Sequence, residues 1–206
     1  YKPFLEVATR FYRFRILNGS TARIYNLALS NGAEFYVIGS DGGILPKPER
    51  VKNLLLSSGE RADILVDFSS VEVGKMVYLM NEEFSGMGEA QGKQSYKIMS
   101  FNVAKSENDD FMLPASLLPF AKLSGASKVR PFKLTMAKKH SSSGMHQING
   151  KVFKSDRIDE VVDFNTTEIW EFDNTTGDEA HPMHIHGVHF QLVARIGGRN
   201  TILPQE

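Results

Sequence analysis

The 206-residue sequence predicts an all-β fold of sandwich or barrel type, arranged as two domains. Three observations carry that expectation. Apolar and charged residues alternate over short segments, turn-forming residues recur between those segments, and long helical periodicity is nowhere evident. Many short strands separated by regular turn signals are the pattern of sandwiches and barrels.

Taken in order, Tyr12-Arg13-Phe14-Arg15-Ile16 alternates with period two, which puts Tyr12, Phe14 and Ile16 on one face of a strand. Arg61 to Phe68 repeats the pattern, with Ala62, Ile64, Val66 and Phe68 inward and Arg61, Asp63 and Asp67 outward. Between these strands stand Asn18-Gly19-Ser20, Asn31-Gly32, Asp41-Gly42-Gly43 and Ser58-Gly59, whose residues accept the positive φ of tight turns. The first domain is expected over 1–104. From 105 to 129 the pattern gives way to a polar stretch, a Leu-Pro-Ala-Ser-Leu-Leu-Pro segment and a Ser/Gly/Lys run, which predicts a linker. Strand signals resume in a second region, 130–206, at Pro131 to Met136, at Thr167 to Phe172 and at His189 to Ile196. The expectation is that this second region stops short of a completed sandwich.

Lysine plus arginine and aspartate plus glutamate number 24 each, so no large positive field invites nucleic acid or an anionic membrane. No segment reaches the roughly 20 consecutive apolar residues of a membrane-spanning helix, and the first residues do not resemble a signal peptide. The absence of cysteine removes disulfides, zinc–thiolate sites and thiol nucleophiles.

Three of the six histidines fall within His181-Pro182-Met183-His184-Ile185-His186-Gly187. On a strand, His184 and His186 would project from one face, while His181, displaced by Pro182, would serve a different ion. Imidazole suits copper, zinc, iron and nickel, so the histidines alone leave the metal open. Clustered surface or hydrogen-bonded core histidines are the alternative reading, which three at this spacing disfavour. His189 falls on the opposite strand face in a supporting role. Met183 reads as a packing residue, and His140 and His146 as solvent-exposed.

The pattern His-Pro-x-His-x-His-Gly, matched in full by His181 to Gly187, resembles the multicopper oxidases, the family of laccases, bilirubin oxidases, spore-coat laccases and cuprous oxidases. Arg13 to Ser20, Ser40 to Leu45 and Gly59 to Val66 are similar to the middle domain of a three-domain member. Gln147-Ile148-Asn149-Gly150-Lys151-Val152-Phe153 is similar to the early part of its third domain. The resemblance implies two cupredoxin-like Greek-key β-sandwich domains, at least one incomplete. The first would be a middle domain lacking its N-terminal strands, and the second a third domain lacking its C-terminal copper motif.

The resemblance also assigns roles. His181 would ligate a type-1 copper, His184 a type-2 copper and His186 one of the paired type-3 coppers. The implied activity couples one-electron oxidation of phenolic, pigment or metal-ion substrates to four-electron reduction of dioxygen to water. The family's His-Cys-His motif and the paired His-x-His motifs of its first domain are absent from this sequence. The chain alone is therefore expected to be inactive and to bind copper weakly, and to associate with missing parts of the parent or with another copy. The middle-domain motifs read as mainly structural, with Asp41-Gly42-Gly43 a turn and Glu60-Arg61 tying a loop. A non-enzymatic copper-binding or assembly module is the second reading, and a zinc hydrolase using three histidines the last. An extracytoplasmic location is implied by family habit alone. Sequons begin at Asn18, Asn165 and Asn174. The eight methionines are scattered and do not suggest a cuprous substrate.

Overall fold

The computed structural model describes residues 2–86, 88, 90–119, 121–136, 146–177 and 179–197. It is all-β, with twelve strands and no helix among the described residues. The chain divides into two compact units, one of Tyr1–Phe120 with His181–Glu206 and one of Ala121–Ala180.

The first unit carries β1 (Phe4–Ala8), β2 (Phe11–Leu17), β3 (Tyr25–Leu29), β4 (Phe35–Ser40), β5 (Gly43–Val51), β6 (Asn53–Leu56), β7 (Arg61–Asp67), β8 (Met76–Asn81) and β9 (Tyr96–Lys105). One sheet has the order β1-β9-β8-β3-β6 and the other β2-β7-β4-β5, so sequence neighbours repeatedly lie apart and the connections cross over. All ladders are antiparallel except β1 with β9, which is parallel. Both sheets feed one apolar core: Val7, Leu27, Leu54, Val77 and Phe101 come from the first, Val37, Ala62, Ile64 and Val66 from the second. This is the sandwich that the alternating segments predict. β2 pairs with β7 over their full lengths, and Tyr12, Phe14 and Ile16 pack against the core as expected. The Phe101 ring lies 5.0 Å from Phe14 and 5.3 Å from Phe68, joining the two sheets through aromatic contacts.

The turn residues divide into two kinds. Gly32, Gly43 and Gly59 adopt positive φ, as tight turns require. Asn18 does something the turn reading did not foresee. It is buried, its Nδ2 donates to the Arg23 and Leu56 carbonyls at 2.7 and 2.9 Å, and its Oδ1 accepts from the Ser20 amide at 3.1 Å. Two distant motifs also meet, because Arg61 at the start of β7 places Nη1 3.0 Å from Asp41 Oδ1 in the Asp-Gly-Gly turn.

β5 contains Pro46 and Pro48 and lies at the edge of its sheet, where a residue without an amide hydrogen costs no ladder bond. The segment from 106 to 127 forms no strand among the described residues, yet its first half is strapped onto the sandwich. Asp109 accepts the Phe11 amide at 2.7 Å, Phe111 meets the Phe11 ring at 5.2 Å, and the Leu117 amide donates to Pro46 O at 2.8 Å.

In the second unit β10 (Lys128–Met136) is central, antiparallel to β11 (His146–Ile148) and parallel to β12 (Glu168–Asp173). Asn149 and Gly150 both take positive φ between Ile148 and Lys151, the conformation that matches the twist of a two-residue hairpin. Phe132 and Leu134 are buried, and Phe132 contacts Trp170 and Phe172 at 4.8 and 5.2 Å. Arg130, 9% exposed, grips Glu168 with Nε and Nη2, each bond 2.8 Å, and donates from Nη2 to Val161 O at 3.0 Å. Its third nitrogen pairs with Glu160. Bidentate pairing of this kind fixes geometry as well as charge. The Arg130 guanidinium, with a further bond from Trp170 Nε1, holds the Glu168 carboxyl down to about 2.

Candidate metal centre

In the chain, the histidine motif is preceded by a turn at the end of β12. Asp173 accepts the Thr175 hydroxyl at 2.6 Å and the Thr175 amide at 2.9 Å, bonds that hold its carboxyl below the usual range. Asn174 Nδ2 donates to the Glu179 carbonyl at 2.7 Å, and the Gly177 amide donates to the Asn174 carbonyl at 3.2 Å. A Cβ on Gly177 would stand 2.1 Å from Asn174 Oδ1, so only glycine fits without moving that amide. The clamp closes two residues ahead of His181.

The strand expected to carry the histidines is not formed. Residues 181–197 contain no strand among the described residues, which corrects both the strand context of His184 and His186 and the strand anticipated from His189 to Ile196. A strand exists only where its amides and carbonyls meet a neighbouring ladder, and an apolar alternation in the sequence cannot supply the neighbour. The alternation itself survives in the burial. His181, Met183 and Ile185 are half-buried, whereas Pro182, His184 and His186 are exposed.

His184 and His186 are adjacent, their rings meeting edge to face with centroids 4.7 Å apart. Gly187 turns the chain with a φ of 79° immediately afterwards. His189 is exposed, and His140 lies outside the described residues. His146, at the start of β11, is exposed as anticipated, with Nε2 3.9 Å from Glu179 Oε2. No three histidine, cysteine, aspartate or glutamate side chains converge on one point among the described residues.

The donors present fit copper in part. Imidazole supports both copper valencies, and an adjacent exposed pair can serve one ion or two neighbouring ones. A site that needs a thiolate has no complete donor set here, because the chain has no cysteine. The histidine run could be read from the sequence. The Asn174–Glu179 clamp and the His146–Glu179 pair could not, because each joins residues through turns whose closure the sequence does not display.

Comparison with known proteins agrees with this reading. Two family models, each described as multicopper oxidase, match residues 7–106 and 126–205. The chain is 36% identical to a laccase of Bacillus subtilis over 94% of its own length and 38% of that protein's. It is 35% identical to the cell division protein FtsP of Xenorhabdus nematophila, over 96% of this chain and 41% of that one. The crystal structure of a multicopper oxidase from Pediococcus acidilactici superposes with a TM-score of 0.79 at 31% identity, covering 99% of this chain and 40% of that chain. The chain thus spans about two fifths of the length of such relatives. With both family models matched in order along a chain whose described elements are all strands and which carries His-Pro-x-His-x-His-Gly at 181–187, the chain belongs to the multicopper oxidase family.

Proposed function

We propose that this chain is the middle domain, 1–104, a linker, 105–129, and the early third domain, 130–206, of a copper-dependent oxidase. The whole protein would couple one-electron oxidation of phenolic, pigment or metal-ion substrates to the four-electron reduction of dioxygen to water. The observation that carries the reading is the separation within the motif. His184 and His186 sit together on an exposed side, while the half-buried His181 alternates with them. This separation supports the reading in which His181 serves a type-1 copper, His184 a type-2 copper and His186 one of the type-3 coppers. Copper, when bound, supplies reversible one-electron transfer.

The chain's own contribution is to orient donors. The proline and the turn at Gly187 bracket the paired imidazoles. We infer that the chain alone turns over no substrate. It has no thiolate, and it spans 38% of the Bacillus subtilis laccase. The test is to supply the purified chain with copper and assay oxidation of a generic phenol. Absence of turnover together with measurable copper uptake is expected, and sustained turnover would overturn the reading.

A second reading, a non-enzymatic copper-binding or assembly module, is favoured by the relative named as a cell division protein. A tight stoichiometric copper complex of the chain would support it. The zinc-hydrolase reading is disfavoured by the failure of the three histidines to converge among the described residues.

A further inference from the structure

The three Asn-x-Ser/Thr sequons, at Asn18, Asn165 and Asn174, are treated differently by the fold. Attachment of an N-linked glycan replaces one of the two hydrogens on the asparagine Nδ2 with a sugar. An acceptor must therefore hold that nitrogen uncommitted and open to solvent.

Asn18 meets neither condition. It is 3% exposed, and its Nδ2 donates to the Arg23 and Leu56 carbonyls at 2.7 and 2.9 Å, so a sugar there would displace a buried hydrogen bond and need room in the interior of the first unit. The Ser20 hydroxyl of the same sequon is engaged too, 2.6 Å from Asn18 Oδ1 and 2.9 Å from the Arg23 carbonyl. Asn174 is closed in a related way. Its Nδ2 donates to the Glu179 carbonyl at 2.7 Å, its Oδ1 is buried, and a Cβ on Gly177 would stand 2.1 Å from that oxygen.

Asn165 is exposed, in a turn just ahead of β12, with a φ of 59° that asparagine tolerates better than most residues. Its carboxamide makes no hydrogen bond among the described residues. Other groups hold the turn. The Thr166 hydroxyl donates to the Asp163 carbonyl at 2.7 Å, and the Ser127 amide donates to the Thr167 carbonyl at 2.8 Å. The neighbouring Phe164 is 92% exposed, so the turn stands out into solvent. Asp163 also places a carboxylate two residues before the acceptor, the additional feature that bacterial transferases of this kind require.

We propose that Asn165 is an acceptor for N-linked glycosylation, and that the fold closes Asn18 and Asn174 to it. The donor is an oligosaccharide carried on a polyprenyl diphosphate. Asn165 Nδ2 bonds to the anomeric carbon, the anomeric carbon–oxygen bond to the diphosphate breaks, the lipid diphosphate leaves, and the Nδ2 proton passes to a base of the transferase. Nothing is oxidised or reduced. No copper ligand takes part, so the proposal stands apart from the oxidase reading.

The test incubates the folded 206-residue chain with a lipid-linked oligosaccharide and an oligosaccharyltransferase that needs only the Asn-x-Ser/Thr sequon, and maps the products by mass spectrometry. Synthetic peptides carrying each sequon serve as unfolded acceptors. All three peptides should take the sugar, whereas in the folded chain occupancy at Asn165 should exceed that at Asn18 or Asn174 at least tenfold. Asn165→Asp, which suits the same backbone and is shown to fold by a thermal melt, should lose the added mass. An unmodified Asn165 in the folded chain would overturn the proposal. So would comparable occupancy at Asn18 or Asn174, or refusal of the sugar by their peptides, since the fold would then not be what selects.

Discussion

The imidazole rings of His184 and His186 meet edge to face at 4.7 Å although no strand ladder holds them. Two residues apart and both exposed, they offer two imidazole donors within one short segment. Copper bound to the folded state alone stabilises it in proportion to RT ln(1 + [L]/Kd), about 2.7 kcal/mol at a hundredfold excess over Kd. Added cupric ion should therefore raise the melting temperature of the parent chain. In His184→Ala with His186→Ala most of that rise should vanish, as differential scanning fluorimetry with and without copper would show.

Phe68 is fully buried, with its ring 5.9 Å from Tyr12 and 5.3 Å from Phe101, so it joins residues of both sheets. Phe68→Ala removes that joint and leaves a cavity. The expected loss is about 3–5 kcal/mol, enough to unfold a marginal domain, and urea unfolding followed by circular dichroism measures it.

Asn81 is wholly buried at the end of β8, accepting the Asn26 amide at 2.8 Å and donating to Gly92 O at 2.7 Å and to the Gln94 carbonyl. Asn81→Leu keeps the branching pattern of the side chain but strands an amide hydrogen and two carbonyls. Each orphaned buried group costs about 1–3 kcal/mol, so this polar-to-apolar change should destabilise as much as a core truncation. Chemical denaturation of the two variants side by side gives the comparison.

The Glu168 carboxyl titrates at about 2, held down chiefly by Arg130, against about 4.3 in an unfolded chain. Its folded pKa is depressed, so the pairing stabilises fully above the unfolded value and is lost as pH falls from about 4.5 toward 2. Melting of the second unit, followed by Trp170 fluorescence, should drop across that window. In Glu168→Gln the melting temperature should be lower at pH 7 and its fall across the same window smaller.

Much of the first sandwich was legible because its strands are half-buried. A half-buried strand must alternate, and Tyr12 to Ile16 and Ala62 to Phe68 do so and pair with each other. The same rule misled beyond His181. There the alternation persists in burial, but the ladder is missing among the described residues, since hydrogen-bond partners are not encoded in the strand that needs them. Asn18 was legible as a turn residue only. Its role as a buried knot between the Arg23 loop and the end of β6 depends on a sheet neighbour 38 residues away.

By itself, then, the sequence determined the strand-rich class, the family, and the identity and order of the three histidines. Period-two burial and ligand chemistry are both local properties of consecutive residues. Only the tertiary structure decided that His184 and His186 stand side by side outside a ladder, that Arg61 reaches Asp41, and that His146 comes to Glu179. Those pairings are made by chain closure over tens of residues or by the bend of a turn. Their free energy depends on distances in space that no local pattern records.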